Sequence, residues 1–176
     1  LRAGKPQQIV TTASIFILIN SVSGIIGQLT KNAVFNEISN YWVLLLAVII
    51  GGQLGNLHDA NSIISLVKSL YSSDIFNNIE FYFTISGSKA DYLRKALKNY
   101  PIEVAPTMKS EEWRSYIKNF DIGIVSLTPG GANVCLPSKT YAMMAGGLAI
   151  IAITPAWSDL ANLIINNQAG WVFDNS

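Results

Sequence analysis

Hydrophobic and polar positions follow two different rules along this chain, with the change near Gly55. From Ile9 to Leu29 there is no charged residue. At a helical rise of ~1.5 Å per residue this run would cover ~30 Å, the hydrocarbon thickness of a bilayer. Thr30 to Asn40 is polar and reads as a short connection. A second apolar run follows from Tyr41 to Leu54, whose length suits a buried helix or a re-entrant segment. The pattern then turns to alternation of helix and strand. It predicts helices over 58–71, 90–100, from Ser110 onward, 138–145 and 158–167. It predicts strands over 79–85, 102–105, 121–127, 148–153 and 170–173. Glu111 and Glu112 stand in the first turn of a helix expected to be capped at Ser110, where the dipole favours acids. The run Asp121–Leu127 is near-continuously apolar, as in a parallel strand covered on both faces. Such alternation predicts a Rossmann-like α/β layer.

Composition sharpens this division. Half of the 176 residues are hydrophobic and 13% are charged, against a usual charged share of roughly 25%. Residues 1–56 hold only four charged side chains, Arg2, Lys5, Lys31 and Glu37. The remainder is ordinary for a soluble domain. These figures predict one or two transmembrane helices in residues 1–55, in the lipid bilayer of a cell membrane, and an α/β domain over 56–176 on its cytoplasmic face. Arg2 and Lys5 ahead of the first run favour a cytoplasmic start. A formal net charge of +1 gives no basic stripe for nucleic acid. One cysteine, Cys135, and one histidine, His58, leave no multi-cysteine or histidine cluster for a metal, and no internal disulfide.

Within the first run, Asn20 and Ser21 are candidates for a transport pathway, or else polar glue between helices, with Gly24 and Gly27 allowing close approach. In the second part the informative loop runs from Thr128 to Lys139, leaving a core strand and entering a helix. Open α/β sheets place ligands at that end of their strands. The loop contains Gly130 and Gly131, and the helix-start N–H groups, the Ser138 hydroxyl and the Lys139 ammonium make a seat for a diphosphate. A Gly/Pro loop ending in a serine cap, with Lys139 solvated, is the bland alternative. Cys135 reads as a loop packing residue, His58 as a helix-start polar residue, Trp113 as a sheet-cover aromatic, and Asp121 as a strand-start residue.

Two resemblances follow from these residues. Arg2-Ala3-Gly4-Lys5-Pro6, Phe16 to Ser21 with Gly24, and Ala47 to Gly55 resemble the late helices of the sulfite-exporter (TauE/SafE-type) transporters. That resemblance implies a piece of a multi-pass exporter of sulfite or organic anions, with at most two of its helices present. Asp121 to Leu127, Pro137-Ser138-Lys139-Thr140-Tyr141, Ala145-Gly146-Gly147 and Ile150-Ile151-Ala152 resemble the C-terminal half of retaining GT-B glycosyltransferases. That second resemblance implies a nucleotide-sugar donor held by Gly55, Gly130, Gly131, Pro137, Ser138, Lys139 and Tyr141, with no cofactor. Many such enzymes carry two glutamates in this helix region, where this chain has Val134 and Ala142, and Pro where it has Ala149. The acceptor-binding domain is absent, and the domain's first strand is expected to be replaced by the transporter-like run. The expected whole is therefore a glycosyltransferase fragment joined near Gly55 to a transporter fragment, inactive alone. A truncated transporter and a membrane-tethered, non-catalytic binding module are the alternatives.

Overall fold

The computed structural model describes residues 46–73 and 79–176. The expected membrane run Ile9–Leu29, with Asn20 and Ser21, lies outside those residues. Among the described residues no helix is long and apolar enough to cross a membrane.

The second apolar run is neither a membrane helix nor a re-entrant segment over its described part. Leu46–Gln53 is a strand, β1, and it lies at the centre of the sheet. The other strands are β2 (Ile79–Ser86), β3 (Ile102–Val104), β4 (Ile122–Ser126), β5 (Ala149–Ile153) and β6 (Gly170–Phe173). All pair in parallel, in the order β3-β2-β1-β4-β5-β6. β1 pairs with β2 along its whole length, from Leu46 opposite Ile79 to Gln53 opposite Ser86. On its other side it meets β4, with Val48 opposite Ile122. The expectation that the α/β domain starts at residue 56 without its first strand is thus corrected. The sheet takes in Leu46–Gln53, and β1 is the strand from which the order departs in both directions.

The misreading has a physical cause. Leu46, Val48 and Ile50 face one layer, and Ala47 and Ile49 the other, with Ile49 and Ile50 fully buried. A strand covered on both sides has no polar alternation to betray its period of two. The first layer is built by helix α1 (Ala60–Tyr71) through Ile63, Ile64, Val67 and Leu70, and by α2 (Ala90–Ala96) through Leu93. The second is built by α5 (Ser138–Ala145) through Met143 and by α6 (Asp159–Asn166) through Leu160 and Ile164. Each such aliphatic side chain contributes about 1.5–3 kcal/mol on full burial.

Local chemistry sets the helix ends. Asp59 caps α1, its carboxylate accepting from the Ser62 N–H at 3.0 Å and from the Ser62 hydroxyl at 2.6 Å. Ser158 caps α6 by accepting from the Ala161 N–H at 3.0 Å. α3 (Ser110–Tyr116) has Glu111 and Glu112 in its first turn, but the capping position falls on Lys109 and no side chain caps it. The segment expected as an open loop holds a single helical turn, α4 (Pro129–Ala132), with Thr128 Oγ1 accepting from the Gly131 N–H at 3.0 Å. Helix α2 ends at Ala96, before the predicted Tyr100.

Candidate functional site

The strand order reverses between β1 and β4, and at such a point the loops leaving the two strands diverge. A cleft of about 810 Å³ opens there, above the C-terminal ends of the strands. β1 supplies Gly52 and Gln53, and β2 supplies Thr84 and Ser86. Thr107 comes from the segment after β3, and Trp113 and Arg114 from α3. The opposite wall is Cys135, Pro137, Ser138 and Lys139, where the chain enters α5, and His58 lies at the start of the α1 connection.

Glycine at the end of β1 makes room for this wall. Gly51 would place a Cβ 2.0 Å from the Trp113 ring, so the indole lies directly on the strand backbone. Gly52 has φ +82°, and its Cβ would stand 3.3 Å from Lys139 Cδ. The lysine stem therefore crosses the strand where the left-handed backbone keeps the surface bare. This Gly-Gly pair, which fitted the transporter resemblance, serves the cleft.

The electrostatics centre on Lys139. Its side chain as a whole is half-buried, yet Nζ is buried and has no hydrogen-bond partner among the described residues. Burial pulls its pKa down from 10.5 to about 8, with the nearby Cys135 sulfur acting in the opposite sense. Among the described residues, no Asp or Glu lines the cleft. A buried ammonium without a counterion is costly, so the arrangement favours an incoming anion. His58 donates from Nδ1 to the Ser126 carbonyl at 2.8 Å, which fixes its neutral tautomer. Its pKa is lowered by burial first and by the Lys139 charge second, against backbone bonds that raise it. The imidazole is a neutral, positioned group at neutral pH.

Of the residues singled out in the sequence, Pro137, Ser138 and Lys139 come together in the cleft. Ser138 is not the cap of α5, since Pro137 holds that position and no side chain closes it. Gly55, Gly130, Gly131 and Tyr141 are not among the lining residues. Tyr141 is half exposed on α5. Gly131 has a packing reason instead, because a Cβ there would stand 2.3 Å from the Leu57 carbonyl oxygen. Asp121 sits at the opposite end of the strands, just before β4, where its carboxylate accepts from the Ala47 N–H at 2.8 Å. Sequence reasoning passed over Gly52, Gln53, Thr84, Ser86, Thr107 and Arg114 as site residues. The polar positions closing the apolar run Ile79–Ile85 were a usable signal, since they mark a strand end on the ligand side. Among the described residues no cluster of His, Cys, Asp or Glu could hold a metal ion.

No protein-family profile matches the chain, and no curated protein matches it. Solved structures do. An α,α-trehalose-phosphate synthase (UDP-forming) from Burkholderia vietnamiensis superposes with a TM-score of 0.57 at 8% identity, covering 90% of this chain and 39% of that one. An E. coli trehalose-6-phosphate structure bound with UDP-2-fluoro glucose gives a TM-score of 0.53 at 9% identity, over 81% of this chain and 36% of that one. The likeness is one of fold, a parallel Rossmann-like α/β layer. The chain spans about two fifths of the length of these structures. The comparisons give the transporter resemblance of residues 1–55 no support.

Proposed function

We propose that the described residues are the donor-binding half of a GT-B-type glycosyltransferase, taking a nucleoside diphosphate sugar in the cleft at the ends of β1, β2 and β4. The observation that carries this reading is the buried Lys139 Nζ at the start of α5, without a partner among the described residues, in a cleft that none of their carboxylates lines. A diphosphate placed there would receive the ammonium and the free N–H groups of the α5 N-terminus together. The Ser138 hydroxyl stands beside them, and Arg114 on α3 adds a second cation to the lining. Hydroxyls of Thr84, Ser86 and Thr107 offer neutral bonds to the rest of the ligand. That the E. coli structure of like fold holds UDP-2-fluoro glucose makes a uridine nucleotide the first ligand to try.

Binding is the activity assigned to this half. Sugar transfer needs an acceptor to be held against the donor, and the chain spans 39% of the first matching enzyme. The test is calorimetric titration of the full chain with UDP and UDP-glucose. Saturable, one-to-one binding that weakens about 10–100-fold in Lys139→Met is expected, the range for losing a hydrogen bond to a charged group. Binding of neither nucleotide, or binding indifferent to Lys139, would sink the proposal.

A further inference from the structure

Cys135 is the single cysteine of the chain, and it stands where α4 gives way to α5. Its backbone N–H closes α4 by donating to the Gly131 carbonyl at 3.0 Å. Its side chain is half-buried, packs at the edge of the second core layer, and lines the cleft beside Lys139. A half-exposed thiol alone means little. Here Lys139, whose buried Nζ has no partner among the described residues, lines the same cleft, close enough for the two groups to interact electrostatically. Arg114 adds a further cation, and among the described residues no acid lines the space.

We propose that Cys135 is a site of reversible modification by acidic low-molecular-weight disulfides, whose carboxylates would occupy the anion seat beside Lys139. The inference rests on the reading of the cleft as an anion site, and adds that thiol chemistry and nucleotide occupancy exclude one another. The step is thiol–disulfide exchange. The Cys135 sulfur, giving up its proton, attacks one sulfur of a disulfide RS–SR. A protein–S–S–R bond forms, the old S–S bond breaks, and the departing RS⁻ takes the proton. No outside oxidant or reductant is needed, because the disulfide carries the oxidising equivalents. A tethered acidic group then places carboxylates among Lys139, Arg114 and the α5 N-terminus, where the nucleotide's diphosphate would otherwise sit.

The experiment uses the full chain and two disulfides of opposite charge, oxidised glutathione and cystamine, with intact mass as the readout. With one cysteine per chain, a gain of one half-disulfide reports Cys135 alone. Rates on the folded chain are divided by those on the urea-unfolded chain, which removes the intrinsic reactivity of each reagent. The folded chain should favour glutathione over cystamine by at least about fivefold on that scale. The preference should collapse in Lys139→Gln and in high salt. UDP at a concentration shown by calorimetry to saturate should slow modification about tenfold or more, in line with its occupancy. A folded-state preference no greater than the unfolded one overturns the proposal, as does full reactivity with UDP bound. If UDP does not bind, the nucleotide reading fails separately, and the charge preference still decides whether Cys135 is the acidic-disulfide site.

Discussion

The two ends of β1 treat charge in opposite ways. At the start of the strand the Asp121 carboxylate takes the Ala47 N–H and ties β4 to β1, so the group is used up by the fold. Asp59, on the connection after β1, is also consumed. It holds Ser62 and receives Asn175 Nδ2 at 2.7 Å. At the far end of the strand Lys139 crosses Gly52 and finds nothing. Satisfied carboxylates stand at both ends of β1, so the difference lies in the partners each charge finds. A charge that the chain satisfies is structural, and a buried charge left open marks where something else is to bind.

The contrast is broken most strongly at Lys139. Lys139→Met removes an uncompensated buried ammonium, so the unliganded fold should gain about 1–3 kcal/mol while nucleotide affinity falls about 10–100-fold. Urea melts and calorimetry on the same preparation read both. A loss of stability together with a loss of binding would show Lys139 to be structural. At the other end, Asp121→Ala strands the Ala47 N–H and should cost about 1.5–3 kcal/mol in a denaturant melt, with affinity unchanged in the protein that remains folded. A matching fall in affinity would erase the distinction between the two ends.

Gly52→Ala probes the crossing itself. A Cβ at φ +82° costs about 1–2 kcal/mol and presses on the lysine stem. Affinity should weaken severalfold beyond what the stability loss explains. Alkaline pH acts with two opposite signs. Lys139 titrates near 8 when folded and near 10.5 when unfolded. The unfolded chain therefore binds more protons between those values, and unliganded stability should rise with pH across that window. Binding that requires the ammonium should fall over the same range, about tenfold from pH 7 to pH 9. Parallel melts and titrations across pH 7–10 check it, and affinity that is flat in pH would remove the ammonium from the site.

Much of the architecture was legible. The strands around residues 79, 122, 149 and 170 and the helices at 60, 138 and 159 fall within a few residues of their predicted places. Their apolar positions keep a clean period, or their caps are explicit, as at Asp59 and Ser158. That the Pro137-Ser138-Lys139 segment lines the cleft was legible, because it follows the rule for strand ends in open sheets. β1 was not. Val48, Ile49 and Ile50 offer the same uniform hydrophobicity to lipid or to a two-sided core, and fourteen apolar residues suit either. Ala142 and Val134 show the other difficulty. Both were noted as replacing glutamates, yet only Ala142 lines the cleft, while Val134 is 74% exposed.

The sequence by itself determined the α/β alternation, the helix that begins at Ser138, and the scarcity of groups for metal or triad chemistry. Each is a local property, set by periodicity, capping and inventory. Only the tertiary structure decided that Leu46–Gln53 is the central strand and that Gly51 and Gly52 clear a path for Trp113 and Lys139. It also decided that Asp121 is spent while Lys139 is not. These are facts of pairing between residues some thirty to ninety positions apart, and what pays the desolvation cost of a charge cannot be known before its neighbours are.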